Sequence, residues 1–556
     1  MKKSFIASVM LLFGCISSWA CTNVMVGKKA SIDGSVMCSY NNDGYGGYAT
    51  VDILPGGEFA KGTKVPLSRW NWTVPDTIIQ AQHVYRVVHR INEYQVTIGE
   101  TTFDGRHELV NPEGKINYPQ LMELGLQRAK TAREAIKVMA QMLDEYGYNS
   151  SGETFSVCDK NEAWIMEVIG KGPGVKGAVW AAIRIPDDCI CVHANQSRID
   201  KIPFDDKENC MYSKDVVKFA REKGYFTGKD KDFSFCDAYC PIDMSGRRFC
   251  EGRVWSIMSK WGDKELMEPY LKFVTGESDV KLPLYIKPTK KLSVRDVKNA
   301  MRDHFEGTPL SLEDDCSWGP FCSPYRPAPL IYKVDGKEYH QERTTGCAVS
   351  IYSMVAQMRD WLPDDIGGVL WYGADDANGV AYVPFYCTCE RIPDAFDDKR
   401  SEGGGNKFSF KSAFWMCNWV SNMVYQRYNL MIDDLRLFRD GLDDEFENRQ
   451  DSIEQVALKL YKDNPSAARK MLTEYTERST SEMMSTWMEL AQFLIVKFND
   501  FKVLESEGKQ FKEGWGNFHN YPVSREFLKN AVEASGDRFR FIKKEEQSIH
   551  QDVMSK

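Results

Sequence analysis

Cys21-Thr-Asn-Val-Met-Val-Gly27, followed after a short polar stretch by Asp33-Gly34-Ser35-Val-Met-Cys38, is the pivot of this chain. Apolar alternation on both sides of Asp33-Gly34 predicts a β-hairpin with Cys21 at the head of its first strand. A side chain placed there is held by sheet. What precedes it decides its chemistry.

Lys2 and Lys3 are followed by an apolar run from Phe5 to Phe13 and then by Ser17, Ser18 and Ala20. Charged, apolar and small-residue regions in that order are the pattern of a secretory leader. Ser18-Trp19-Ala20 puts small side chains one and three positions before a cut that leaves Cys21 first, with a free α-amine. A rival cut after Gly14 would acylate Cys15, make a lipid-anchored protein and keep Cys21 internal; Phe13 fits that signal poorly. The apolar run is shorter than the roughly 20 residues a membrane span needs, and no later segment is apolar for that long. The expected product is therefore exported, periplasmic or extracellular, without a membrane span.

The 556 residues exceed the size of one core, about 250–300 residues, so a large domain with an extension is expected. Ser401-Glu-Gly-Gly-Gly-Asn406 marks the division, giving a leader 1–20, a main domain 21–400 and a mostly helical extension 401–556. Formal charge is −8, and removing Lys2 and Lys3 leaves −10, which argues against nucleic acid or anionic membrane as partner. A homo-oligomer is compatible with this composition. Of sixteen cysteines, Cys236 with Cys240, or Cys316 with Cys322, are the candidates for local disulfides. Cys189-Ile-Cys191 and Cys387-Thr-Cys389 lie on strand-like runs and lack zinc-site spacing. No metal or other cofactor is expected.

Strand-like runs occupy Val84–Val88, Gln95–Ile98, Thr154–Val157, Ala163–Val168, Ala178–Ile183 and Cys189–His193. A helical stretch falls near 119–146, with Thr131-Ala-Arg-Glu134 reading as a capping box. Paired strands, a helical block and more strands indicate α+β layers without βαβ alternation. Beyond residue 406 the pattern is helical to about 535, and Met483, Trp487, Leu490, Ala491, Leu494 and Phe498 form one packed face.

An N-terminal cysteine combines a thiol titrating near 8.5 with an α-amine near 7.7–8.0, so one residue supplies nucleophile and base. The stretch Cys21–Ser35 resembles the start of the C69 dipeptidase family, N-terminal-nucleophile cysteine peptidases related to penicillin acylases and bile-salt hydrolases. Ile98-Gly-Glu-Thr-Thr102, Ala163-Trp-Ile-Met-Glu167, His193-Ala-Asn-Gln196, Gly307-Thr-Pro309, Ser323-Pro-Tyr-Arg326, Trp361-Leu-Pro363 and Ile366-Gly-Gly-Val369 resemble it in order, over about residues 21–500. The resemblance implies an αββα four-layer sandwich and hydrolysis of dipeptides through an acyl-enzyme on Cys21, the α-amine acting as general base.

It also implies roles for single residues. Asp43 takes the place of the acidic residue that orients the nucleophile. Asn195 takes that of the side-chain oxyanion donor, with the second donor from backbone around Glu100 or Thr101. Arg253 takes that of the site-closing arginine, facing an acidic residue or the substrate. Tyr40 stands where the family has an arginine, which removes a fixed cation from the thiol. Glu100 and Arg253 are the pair available to grip the substrate's amine and carboxylate. His193 is read as packing or as a support behind the site residues, because the papain-type sequence around a catalytic cysteine is absent. Alternatives to the dipeptidase are an amidase on non-peptide amides such as conjugated bile acids, and a non-catalytic exported binding protein.

Overall fold

The computed structural model describes residues 21–69, 72–313, 315–326 and 329–540. The expected leader and Cys15 lie outside them. The principal strands are β1 (Asn23–Val26), β2 (Val36–Asp43), β3 (Thr97–Asp104), β4 (Gly152–Cys158), β5 (Ala163–Gly170), β6 (Ala178–Ile185), β7 (Ile190–His193), β8 (Ser350–Met358), β9 (Val369–Ala374) and β10 (Val383–Tyr386). The principal helices are α1 (Tyr118–Arg128), α2 (Ala132–Tyr146), α3 (Gly252–Trp261), α4 (Val294–Met301), α5 (Ala413–Gln426), α6 (Tyr428–Asp463) and α7 (Pro465–Lys497).

The expected hairpin forms: β1 and β2 are antiparallel, with Met25 opposite Cys38 and Val26 opposite Met37. Gly34 has φ +86°, a conformation free of strain only for glycine, and the Asp33 carboxylate accepts the Ser35 N–H at 3.0 Å. A seven-stranded sheet runs Tyr285–Ile286, β7, β1, β2, β8, β9, β10. An eight-stranded sheet runs Cys210–Tyr212, β6, β5, β4, β3, Ile91–Asn92, Val87–Val88, Ile53–Leu54. Cys21 therefore leads into a central strand.

Strands such as Ala163-Trp-Ile-Met-Glu-Val-Ile-Gly170 and Val369-Leu-Trp-Tyr-Gly-Ala374 are buried along their whole length, which explains their near-continuous apolar runs. One face meets the other sheet, through β2 against β3 and β4. The other faces carry helices: α1 and α2 lie on the eight-stranded sheet, α4 on β2 and β8, and α7 on β10. The architecture is mixed α+β.

Three details differ from expectation. The helical stretch at 119–146 is two helices, because Ala129 is extended and Thr131 starts a new cap. That cap is half a capping box: the Thr131 hydroxyl accepts from Glu134 N–H at 3.2 Å, but the Glu134 carboxylate accepts from Lys130 N–H. Helix also does not continue to 535. It ends at Lys497 with Phe498 non-helical at φ −117°, Asp500 and Phe501 follow with left-handed φ of 51° and 59°, small antiparallel pairs fill 502–520, and a helix resumes at Arg525–Ser535. The α7 face from Met483 to Phe498 is buried as expected, with Trp487 Nε1 donating to Gly379 O at 3.1 Å. Cys316 and Cys322 are disulfide-bonded, whereas Cys236 and Cys240 are free thiols with separate partners.

Candidate active site

Cys21 is fully buried, and a backbone bracket between Thr22 and Asn41, at 3.2 and 2.9 Å, fixes it against β2. Its thiol donates to Glu100 Oε1 at 3.4 Å and lies 3.8 Å from the Tyr40 hydroxyl. Tyr40 donates to the same Glu100 oxygen, and the Asn42 amide donates to the Tyr40 oxygen. Tyr40 and Asn42 are two apart on β2 and so share a face, while Glu100 comes from β3 in the other sheet. Gly99 makes this approach feasible, since a Cβ there would stand 2.5 Å from Asn23 Nδ2 and 3.3 Å from Tyr40 Cβ.

Burial pushes the Cys21 thiol well above its ordinary range, and the charges of Glu100 and Asp43 push it further. A backbone hydrogen bond from Asp43 and the Tyr40 hydroxyl work the other way. Glu153 on β4 faces Thr102 across the strand pair, diagonal to Glu100. Burial, followed by the charge of Glu100, pushes the Glu153 carboxyl well above the ordinary carboxylate range. As the tyrosine at position 40 led one to expect, no arginine among the described residues donates to the thiol, which lies beside Glu100.

The other expected site residues are placed as follows. The Asp43 carboxylate accepts from Ser350 Oγ at 2.6 Å and Arg343 Nη2 at 3.1 Å rather than from the thiol, which it reaches as a charge and through its backbone. Arg253 hydrogen-bonds none of these carboxylates: it donates to Cys21 O and Thr22 Oγ1, both at 2.8 Å, to Phe249 O at 2.6 Å and to Asn195 Oδ1 at 2.9 Å. Its fork therefore joins the main chain of Cys21 to Asn195. Asn195, at left-handed φ 53°, donates from Nδ2 to Thr102 O at 2.7 Å. The backbone N–H and C=O of Glu100 both face the Asn23 side-chain amide, at 3.1 and 3.0 Å, so that N–H is engaged between the sheets instead of open to an oxyanion. Thr101 points to the opposite face, its hydroxyl 2.7 Å from His193 Nδ1. His193 also meets Ser156 Oγ at 2.7 Å, and burial pushes it down to about 3, so it is a neutral bridge.

Asn195 and Arg253 line a cleft of about 290 Å³ together with Thr102, Asp104, Phe249 and Arg343. A second cavity of about 510 Å³ lies across Leu330 and Arg343, which line both. Arg343, Asn42, Glu153 and Asp104 were not singled out from sequence. Only Asn42 carried a local signal, its alternation with Tyr40. Among the described residues two groups have metal-ligand atoms in proximity, away from Cys21. Lys281 donates into Asp200/Cys236/Asp237, and Arg436 and Lys260 pair with His304/Glu306/Glu313.

The model of peptidase family C69 matches residues 20–440. A probable dipeptidase of Latilactobacillus sakei is 26% identical over 442 residues, covering 74% of this chain and 82% of the relative. A probable dipeptidase of Salmonella dublin is 26% identical over 412 residues, covering 69% and 84%. A dipeptidase of Bifidobacterium longum is 26% identical over 420 residues, covering 68% and 73%. With more than half its length matched by the family model, this chain belongs to peptidase family C69.

Proposed function

We propose that this protein is an exported cysteine dipeptidase whose nucleophile, Cys21, becomes residue one when a leader is removed after Ala20. In this reading the two facing antiparallel sheets and their outer helices are the αββα arrangement of an N-terminal-nucleophile hydrolase, residues 21–400, extended by the helices after 401. The observation that carries it is that the residue placed to become the new terminus is also the one whose thiol both sheets surround. The relatives named as dipeptidases support the substrate class.

A thiol held protonated has to lose its proton during attack. The α-amine of the same residue, with a pKa near 7.7–8.0, takes it, and the Glu100 carboxylate at 3.4 Å is a second acceptor. The thiolate adds to the scissile carbonyl, whose oxygen Asn195 stabilises while Arg253 holds the nucleophile's main chain and the Asn195 amide in register. The leaving amine takes the proton, and water then releases the acyl group.

Intact mass, N-terminal sequencing and turnover of dipeptides and acyl amides test this. A mature chain starting at Cys21 that hydrolyses dipeptides is expected, with Cys21→Ala and Cys21→Ser each losing at least about a thousandfold in kcat/KM. A terminus beyond Cys21, an acylated Cys15, or undiminished turnover in both variants contradicts the proposal. Preference for acyl amides over dipeptides points to the amidase.

A further inference from the structure

The 290 Å³ cleft beside Asn195 is unevenly charged. Of its two arginines, Arg253 donates to the Cys21 carbonyl at 2.8 Å and Arg343 to the Asp43 carboxylate at 3.1 Å. The carboxylates lining the cleft are Asp104 and Asp243. Asp243 is exposed and its Oδ1 accepts the Gly246 N–H at 2.8 Å. Asp104 is half buried, with the Ser151 hydroxyl 3.4 Å away. Burial pushes its carboxyl up, which nearby His107 and Ser151 only partly offset.

Asp104 ends β3, and the pairing with β4 is irregular between Thr102 and Asp104. Its backbone is left-handed, φ 56°, like that of Asn195 at φ 53°. Glu100, the acid paired with the substrate's amine from sequence, is fully buried at the thiol and is not among the cleft's lining residues.

We propose that Asp104 binds the α-ammonium of the substrate's amino-terminal residue, which makes the enzyme selective for peptides with a free amino terminus. The inference rests on the dipeptidase reading. In a dipeptide the α-nitrogen lies about 2.5 Å from the scissile carbonyl carbon. An ammonium–carboxylate bond adds about 2.8 Å, so the partner oxygen stands roughly 5 Å from that carbon. Asn195, the oxyanion donor of this reading, is fastened to Thr102 at 2.7 Å. Asp104 lies two residues beyond Thr102 and lines the same cleft as Asn195, which sets a carboxylate beside the oxyanion donor of this reading. An N-acyl substrate would offer a neutral amide there and leave the carboxylate unpaired, so discrimination follows from the cost of that unpaired charge.

The test uses the mature protein and three substrates: a free dipeptide, its N-acetyl form and its des-amino analogue. Wild type is expected to favour the free dipeptide by about 10- to 100-fold in kcat/KM. Asp104→Asn keeps the side-chain shape and tolerance of left-handed φ; it should lose that factor on the free dipeptide alone and erase the preference. Asp104→Gly, which adopts left-handed φ freely, is the second variant and should show the same loss on the free dipeptide alone. A wild type indifferent to the amine overturns the inference, as does a preference retained in Asp104→Asn or one erased instead by Asp243→Asn. Hydrolysis of none of the three by wild type overturns the dipeptidase reading, and this inference with it.

Discussion

At Cys21 burial and the neighbouring acids set the protonation of the thiol, and the signs are testable. The Glu100 charge helps hold the thiol protonated, whereas the Tyr40 hydroxyl opposes this. Glu100→Gln should therefore move the pH midpoint of Cys21 alkylation down, and Tyr40→Phe should move it up. The readout is mass-spectrometric quantification of the Cys21 peptide, which separates it from the other buried thiols. Shifts in the same direction for both variants would show that burial alone controls the thiol. In the proposed mechanism the proton leaves during attack, so kcat/KM should rise with pH toward about 8, where an α-amine on Cys21 would lose its own proton.

Elements are fastened by ion pairs taken out of water. Arg359, just after β8, holds Glu454 of α6 through two bonds of 2.7 and 2.6 Å, with both side chains 5% exposed and the Tyr386 hydroxyl adding a third at 3.0 Å. Deleting one partner strands a buried charge, so Glu454→Ala should cost about 3–5 kcal/mol in denaturant unfolding. A loss below about 1 kcal/mol would mean that water replaces the carboxylate. By contrast, Thr131→Ala removes one cap bond of α2 and should cost about 1 kcal/mol.

Across the whole molecule, one hydrophobic cluster runs from Cys21 to Phe498, so the helices after residue 401 complete a core that the sheets begin. The loop at 303–313 is tied to α6 by His304 Nδ1 and Glu313, which also takes bonds from Tyr428 and Arg436. Despite burial, Glu306 and Glu313 raise His304 to about 9. A histidine raised above its unfolded value of about 6.5 stabilises fully below that pH and loses the effect as pH climbs through 9. The loss amounts to about 3 kcal/mol. Melting temperature should accordingly fall between pH 6.5 and 9, and His304→Gln should flatten that slope. An equal slope in the variant assigns the pH dependence elsewhere.

The hairpin leading from Cys21, the long buried strands and the α7 face were legible in sequence because each is a local periodicity of apolar residues. The motifs around Cys21 and Asn195 carried the family in the same way. The split at Ala129 was not legible, since a break between two helices of one apolar face leaves that face intact. Nor was the site's wiring. Asp43 is 300 residues from Arg343, and Arg253 grips a carbonyl 232 residues away. Glu100 turns to the thiol while Asp104, four residues on, lines the cleft. Strand alternation says that residues four apart share a face, but the twist and the bulge before Asp104 send them to different surroundings. Sequence thus determined which residue is the nucleophile candidate and on what element it sits. Only tertiary packing decided what surrounds it, because partners across two sheets are selected by register and separation between layers, which no local pattern encodes.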